Sequence, residues 1–130
     1  MAFLLKRVYE PARPSDGVRV LVDRLWPRGL SRADARLTLW LKEVAPSTGL
    51  RTWFSHQPER FAEFSRRYRR ELAADPALSD LRRLGRGRTV TLLYAAHDPE
   101  INHAVVLLQL LRAKHPGAPR KRVRAKAARA

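Results

Sequence analysis

Apolar positions follow two rhythms along this chain. Within VRVLVDRL (18–25), Val18, Val20, Leu21 and Val22 form a β-branched run that ends in charge, and TVTLLYAA (89–96) repeats the pattern. Runs of this kind read as strands buried on both faces. FLLKRVY at 3–9 is shorter and is stopped by Pro11 and Pro14, the pattern of an edge strand followed by a loop. Asp16-Gly17 is a turn signal before the run at 18–25, and that run, patterned for burial on both faces, is the expected central strand.

Elsewhere apolar residues return every three or four positions. Ser31 stands three residues before Asp34 as a capping box would require, so a short helix is expected there. LTLWLKEV (37–44) alternates Leu37, Leu39 and Leu41 with Thr38, Trp40 and Lys42 and reads as a strand, with the end of the preceding helix as the alternative. Ser47 can cap a turn running through Trp53 and Phe54. Pro58 and Glu59 open a longer helix that carries Phe61, Phe64, Tyr68 and Leu72 on one face and arginines on the other. Pairs such as Glu63 with Arg67 and Arg67 with Glu71 offset that charge, each by about 0.2–0.5 kcal/mol. Asp75-Pro76 starts a further helix that Gly85 or Gly87 ends. Asp98-Pro99-Glu100 supplies cap, proline and first-turn acid for a helix over about 99–114, stopped by Pro116-Gly117.

That last helix is apolar on nearly every side, with Asn102, His103 and Gln109 the chief exceptions. It must be covered on more than one side, either between the sheet and another helix or in a homodimer. Buried strands separated by helices, with no hairpin signal, call for crossover connections. The expected fold is therefore α/β: a small layered domain, residues 1–118, with a mostly parallel sheet of about four strands flanked by helices.

Composition changes this picture at the C-terminus. The chain has 130 residues, the size of one domain, and 45% of them are hydrophobic. The formal charge is +15, but residues 120–130 hold six of the 27 basic residues and no acid, leaving 21 basic against 12 acidic residues elsewhere. Residues 119–130 are expected to be a disordered basic tail, suited to weak, non-specific, salt-sensitive contact with nucleic acid and to no specific partner. Arginine outnumbers lysine 22 to 5, a skew that genome composition produces as readily as phosphate binding does. The absence of cysteine excludes disulfides, thiolate metal sites and Cys nucleophiles and suits a reducing cytoplasm. No apolar stretch approaches a membrane span, so no membrane partner is expected.

Ligands of open parallel sheets bind beyond the carboxyl ends of the strands. Two segments fall there, DRLWPRGLS after the central strand and YAAHDPEINH after the last one. Asp23 is a candidate acid or base, or an orienter of Arg24, and equally a salt-bridge or cap residue. Arg24, and Arg28 before Gly29, are candidates to clamp an anionic ligand such as a nucleotide or phosphorylated metabolite, against the plainer reading of Arg28 as a solvated loop charge. Trp26 reads more readily as a packing lid than as a stacking platform, and Tyr94 as core whose hydroxyl needs a partner. His103, in the first turn of the apolar helix, is a candidate base held neutral by the dipole or a satisfied core histidine. His56 either caps the Pro58 helix or faces the same crevice, while His97 and His115 read as loop residues. Histidine spacing supports no metal site, no motif names a cofactor, and neither a Walker loop, GxGxxG nor a nucleophile elbow is present.

Three blocks in order, KRVYEPARPSDGVRVLVDRLWPRGLS, WLKEVAPSTGLRTWFSHQPERFAEFSRRYRREL and VTLLYAAHDPEINHAVVLLQLL, closely resemble the YeaO-like bacterial family, a domain of unknown function (488), from about residue 6 to 112. The resemblance implies a compact α/β fold in the cytosol and brings no established reaction, substrate or cofactor. The family's recurrent positions fall on Asp23, Arg24, Trp26, Pro27, Arg28, Gly29, Trp40, Lys42, Ala45, Pro46, Ser47, Trp53, Phe54, His56, Tyr94, Asn102, His103 and Ala104. Asn102, on the segment after the last strand, is a candidate ligand-binding residue by position and also one of these recurrent positions. The chain departs from the family at Gln57, where an acid is common, and at His97, where Lys is common. Some relatives carry a transcriptional-regulator label, for which the sequence shows no helix-turn-helix pattern. The topology predicts that Asp23, Arg28 and His103 converge on one crevice, with the helix beginning near Pro99 aiming its amides into it.

Overall fold

The computed structural model describes residues 2–113. Four parallel strands, β1 (Ala2–Arg7), β2 (Val18–Leu21), β3 (Leu39–Trp40) and β4 (Thr89–Tyr94), form one sheet in the order β1-β4-β2-β3. The fold is thus the small parallel α/β layer that the buried runs imply, with β1 at an edge and β2 and β4 in the centre. The tail from 119, His115 and the Pro116-Gly117 stop lie outside the described residues.

Residues Pro14–Asp16 form a 3-10 turn between β1 and β2, and Gly17 finishes it at φ 66°. A Cβ there would lie 2.4 Å from the Thr89 carbonyl oxygen, so close backbone approach as well as the left-handed φ requires glycine. α1 (Arg32–Ala35) is capped by Ser31, whose hydroxyl accepts from Asp34 N at 3.0 Å. The alternating segment at 37–44 shortens to the two residues of β3 followed by a 3-10 turn at Lys42–Val44. Three helices then return the chain to β4: α2 (Thr48–Phe54), α3 (Phe61–Ala73) and α4 (Pro76–Leu84). Ser47 and Asp75 cap α2 and α4 as their positions predict. Gly85 ends α4 at φ −82°, an ordinary value; glycine is needed there because a Cβ would lie 2.5 Å from the Phe3 ring.

The expected helix at 99–114 is corrected at both ends, to α5 (His103–Arg112). Asp98 does accept amides, from Glu100 at 2.8 Å and Ile101 at 3.1 Å, but the turn it closes is not continued. Asn102 is extended, at φ −156°, and caps α5 by accepting from Val105 N at 3.1 Å while its Nδ2 donates to Asp98 O at 2.7 Å. α5 packs against α3 on one side and β1 and β4 on the other. Packing within the chain buries Ala104, Val106, Leu107 and Leu111 of α5 and leaves Val105, Leu108 and Leu110 half-buried.

Alternation assigns the two sheet faces different neighbours. Val20, Val22, Val90, Leu92 and Tyr94 face α2 to α5 and share the main core with Phe54, Phe64, Tyr68 and Leu107. Val8, Leu21 and Leu93 face the opposite way, under Trp26, Leu30 and Leu37 of the connection between β2 and β3 and Trp40 of β3 itself. The same face carries buried charge at its other end. Asp16 takes Arg19 Nη1 at 2.6 Å and Lys6 Nζ at 3.0 Å, and Arg19 also donates to the carbonyls of Ala35 and Arg36.

Candidate functional site

β2 and β4 are neighbours and parallel, so the loops leaving Leu21 and Tyr94 emerge on one edge. There Asp23 and His103, 80 residues apart in sequence, meet with Oδ1 and Nε2 at 3.2 Å, and both side chains are 16% exposed. The other carboxylate oxygen of Asp23 accepts from Ala95 N at 3.1 Å, fastening the loop after β2 to the loop after β4. The His103 ring is further fixed by Val22 O, 3.0 Å from Nε2, and lies edge-on to the Tyr68 ring at 6.1 Å. Tyr68 is fully buried and donates its hydroxyl to Val44 O at 2.5 Å. Burial pushes its pKa well above the ordinary tyrosine value, helped by the negative charge of Glu71 and Asp23.

The other candidates separate into structural and exposed groups. Arg24 is engaged with backbone, donating from Nε to Pro46 O and from Nη2 to Ala45 O, both at 3.2 Å. With Tyr68 on Val44 O and Glu71 receiving Ser47 N at 2.9 Å and Ser47 Oγ at 2.6 Å, this clamps the whole 44–47 segment beside the pair. Glu71 is thereby withdrawn from the expected pairing with Arg67, which turns instead to Glu63 at 2.7 Å. Trp26 is the lid its position suggested: its Nε1 donates to Leu30 O at 2.6 Å and its ring meets Trp40 edge-on at 5.4 Å. Arg32 lies over both indoles. Tyr94 belongs to the core, and burial raises its pKa, as do the acids Glu10 and Asp98 nearby. Asn102 is the buried cap of α5, so its polar atoms are committed to backbone.

Arg28 is exposed, and its guanidinium makes no hydrogen bond or ion pair among the described residues. Its backbone is held at the β1 side of the edge, where Tyr9 Oη donates to its carbonyl at 2.7 Å, and exposed Gly29 turns the chain at φ 77°. The structure therefore brings Asp23 and His103 together and leaves Arg28 on the loop beside them. His56 neither caps the Pro58 turn nor touches the pair. It is exposed in a left-handed conformation, φ 56°, with its ring tilted on Phe54, and the stack Phe54, Phe64, Tyr68 separates it from His103.

Three contributors lie outside the site candidates, although Trp40 is one of the family's recurrent positions. Arg7 donates to Ala96 O at 2.9 Å and Ala95 O at 3.2 Å, Trp40 Nε1 donates to Asp23 O at 2.7 Å, and Tyr9 latches the Arg28 loop. Each acts on a backbone carbonyl, a partner that no residue pattern announces. Among the described residues no cluster of three or more His, Asp or Glu side chains is placed to hold a metal ion, and no helix is long and apolar enough to cross a membrane.

Comparison with known proteins agrees with the resemblance. The family described as "Inactive DUF488-N3 subclade" matches residues 2–125. The chain is 51% identical over 105 residues to "Uncharacterized protein Rv3073c" of Mycobacterium tuberculosis (strain ATCC 25618 / H37Rv), covering 81% of this chain and 89% of that one. "Uncharacterized protein Mb3100c" of Mycobacterium bovis matches with the same figures. "Uncharacterized protein YeaO" of Escherichia coli (strain K12) is 45% identical over 108 residues, 82% of this chain and 94% of that one. No solved structure matches the chain.

Proposed function

This chain belongs to the inactive DUF488-N3 subclade, and we propose that it is a cytoplasmic binding protein that holds a small anionic ligand, a nucleotide or phosphorylated metabolite, at the sheet edge around Asp23 and His103 without turning it over. The observation that carries this reading is the meeting of Asp23 and His103 at the carboxyl ends of two central parallel strands, the position where open α/β sheets take ligands. Arginines share this edge with the acids Asp23, Glu10 and Asp98, and the arginines are the groups suited to an anion. Arg7, Arg24 and Arg28 gather there, and the carbonyls that accept from Arg7 and Arg24 satisfy their donors without neutralising their charge. Arg28 supplies the guanidinium still free to form a bidentate contact. Binding without turnover fits the family's description as inactive, the absence of any cysteine, and the engagement of Ser47 Oγ with Glu71.

Calorimetric titration of the full chain with inorganic phosphate and with a nucleoside monophosphate tests the reading. Saturable binding is expected, reduced at least tenfold in Arg28→Ala with an unchanged melting temperature. Binding that survives in Arg28→Ala, or no binding of either probe, overturns it. Salt-steep affinity for an arbitrary duplex that disappears on deleting residues 119–130 would favour the nucleic-acid reading of the tail instead.

A further inference from the structure

The contacts of the His103 ring say more than that it meets a carboxylate. A backbone carbonyl can only accept, so Val22 O at 3.0 Å from Nε2 requires that Nε2 carry the proton. Asp23 Oδ1 at 3.2 Å adds negative charge on the same side but lies off the hydrogen-bond direction, and it is the one fully buried side-chain polar atom among the described residues without a hydrogen-bond partner. Nδ1 also has no partner among those residues, yet it is not fully buried, so it keeps contact with solvent. In the neutral ring it is a pure acceptor.

Resting on the binding reading above, we infer that His103 is locked in its Nε2-protonated tautomer and presents Nδ1 as the acceptor that reads a ligand hydroxyl. The ligand class narrows accordingly, to a phosphorylated polyol or sugar that offers an O–H donor as well as an anionic group. Asp23 is a positioning residue here. Ala95 N fixes its Oδ2, and its Oδ1 charge holds the Nε2–H side of the ring inward, so that Nδ1 faces out. An acceptor of this kind discriminates strongly, because a ligand lacking the hydroxyl leaves the nitrogen without a donor.

Long-range nitrogen–proton NMR correlations of the 15N-labelled full chain, without ligand and at a pH where the ring is neutral, should show His103 Nε2 protonated and Nδ1 bare. A protonated Nδ1, or fast averaging of the two tautomers, would falsify the inference whatever the protein binds. Adding ribose 5-phosphate should shift the Nδ1 resonance, whereas sulfate, an oxyanion with no O–H donor, should bind and leave it in place. His103→Gln retains an amide donor where Nε2 stood and deletes Nδ1. It should therefore keep the melting temperature and lose about tenfold more affinity for ribose 5-phosphate than for sulfate. Equal losses for both ligands, or none, overturn the assignment. Failure of either ligand to bind, with the tautomer as stated, would count against the anion-binding reading and leave the ring's locked state established.

Discussion

The hydroxyl of Tyr9 donates to the backbone carbonyl of Arg28 at 2.7 Å, joining the residue just beyond edge strand β1 to the loop that leaves central strand β2. Arg7 lies over the Tyr9 ring at 4.7 Å, so the latch is itself held by a residue that ties down Ala95 and Ala96. The exposed Arg28 loop is thereby fixed at a residue whose own guanidinium makes no hydrogen bond or ion pair among the described residues.

Removing the latch should separate binding from folding. Tyr9→Phe keeps the ring under Arg7 and loses only the hydroxyl, and Tyr9 is 39% exposed, so solvent can satisfy the abandoned carbonyl. A stability loss of about 0.5–1 kcal/mol is expected, read as a small fall in melting temperature. The phosphate affinity should fall several-fold because the Arg28 loop is no longer preorganised. An unchanged affinity would show that the latch has no part in positioning Arg28.

Asp16 should be costly to neutralise. Burial pushes its pKa upward, but hydrogen bonds from Arg13 N, Lys6 and Arg19 outweigh that and hold it below the ordinary aspartate value. Asp16→Asn leaves Arg19, only 5% exposed, without its counter-charge, and removing one partner of a buried pair costs about 3–5 kcal/mol. Because the folded pKa is depressed, the carboxylate contributes its full stability above the unfolded value of about 3.9 and loses it as pH falls through the folded value. Urea midpoints followed from pH 7 downward should fall below about pH 4 in the wild type, and fall less in Asp16→Asn. Parallel profiles for the two proteins would contradict this.

What the sequence made legible, and what it hid, divides along a physical line. The parallel sheet followed from VRVLV and TVTLLY, since continuous β-branched runs without hairpin turns leave little but crossover topology. The meeting of Asp23 and His103 followed from that topology alone. The start of α5 did not, because Asp98-Pro99-Glu100 satisfies every local rule for a helix start while Asn102 satisfies one of them and also reaches back to Asp98 O. Arg19 was hidden inside an apolar run. Its burial depends on Asp16 and the carbonyls of Ala35 and Arg36, which only the fold brings around it. Arg24 was legible as a site residue by position and misleading by chemistry, since its donors go to Ala45 and Pro46.

Tyr68 links the core to the site and gives the chain an alkaline limit. Its ring packs between Phe64 and His103, and its hydroxyl is the donor for Val44 O at 2.5 Å. Burial favours the neutral phenol, so the folded pKa stands well above the unfolded value of about 10. Above that pH the folded state holds a proton that the unfolded state releases, and stability must fall as pH rises. Tyr68→Phe removes the proton from both states and leaves Val44 O without its donor, at a cost of about 1–3 kcal/mol near neutrality. The variant should therefore begin less stable at pH 7 and decline less steeply between about pH 10 and 11. A residual slope should remain, because Tyr94 is also raised by burial. Thermal unfolding followed by circular dichroism at pH 7, 9, 10 and 11 measures both the offset and the slope. A wild-type protein equally stable across that range would mean that the phenol ionises in the folded state without disturbing Val44, and that the core around His103 is looser than its contacts indicate.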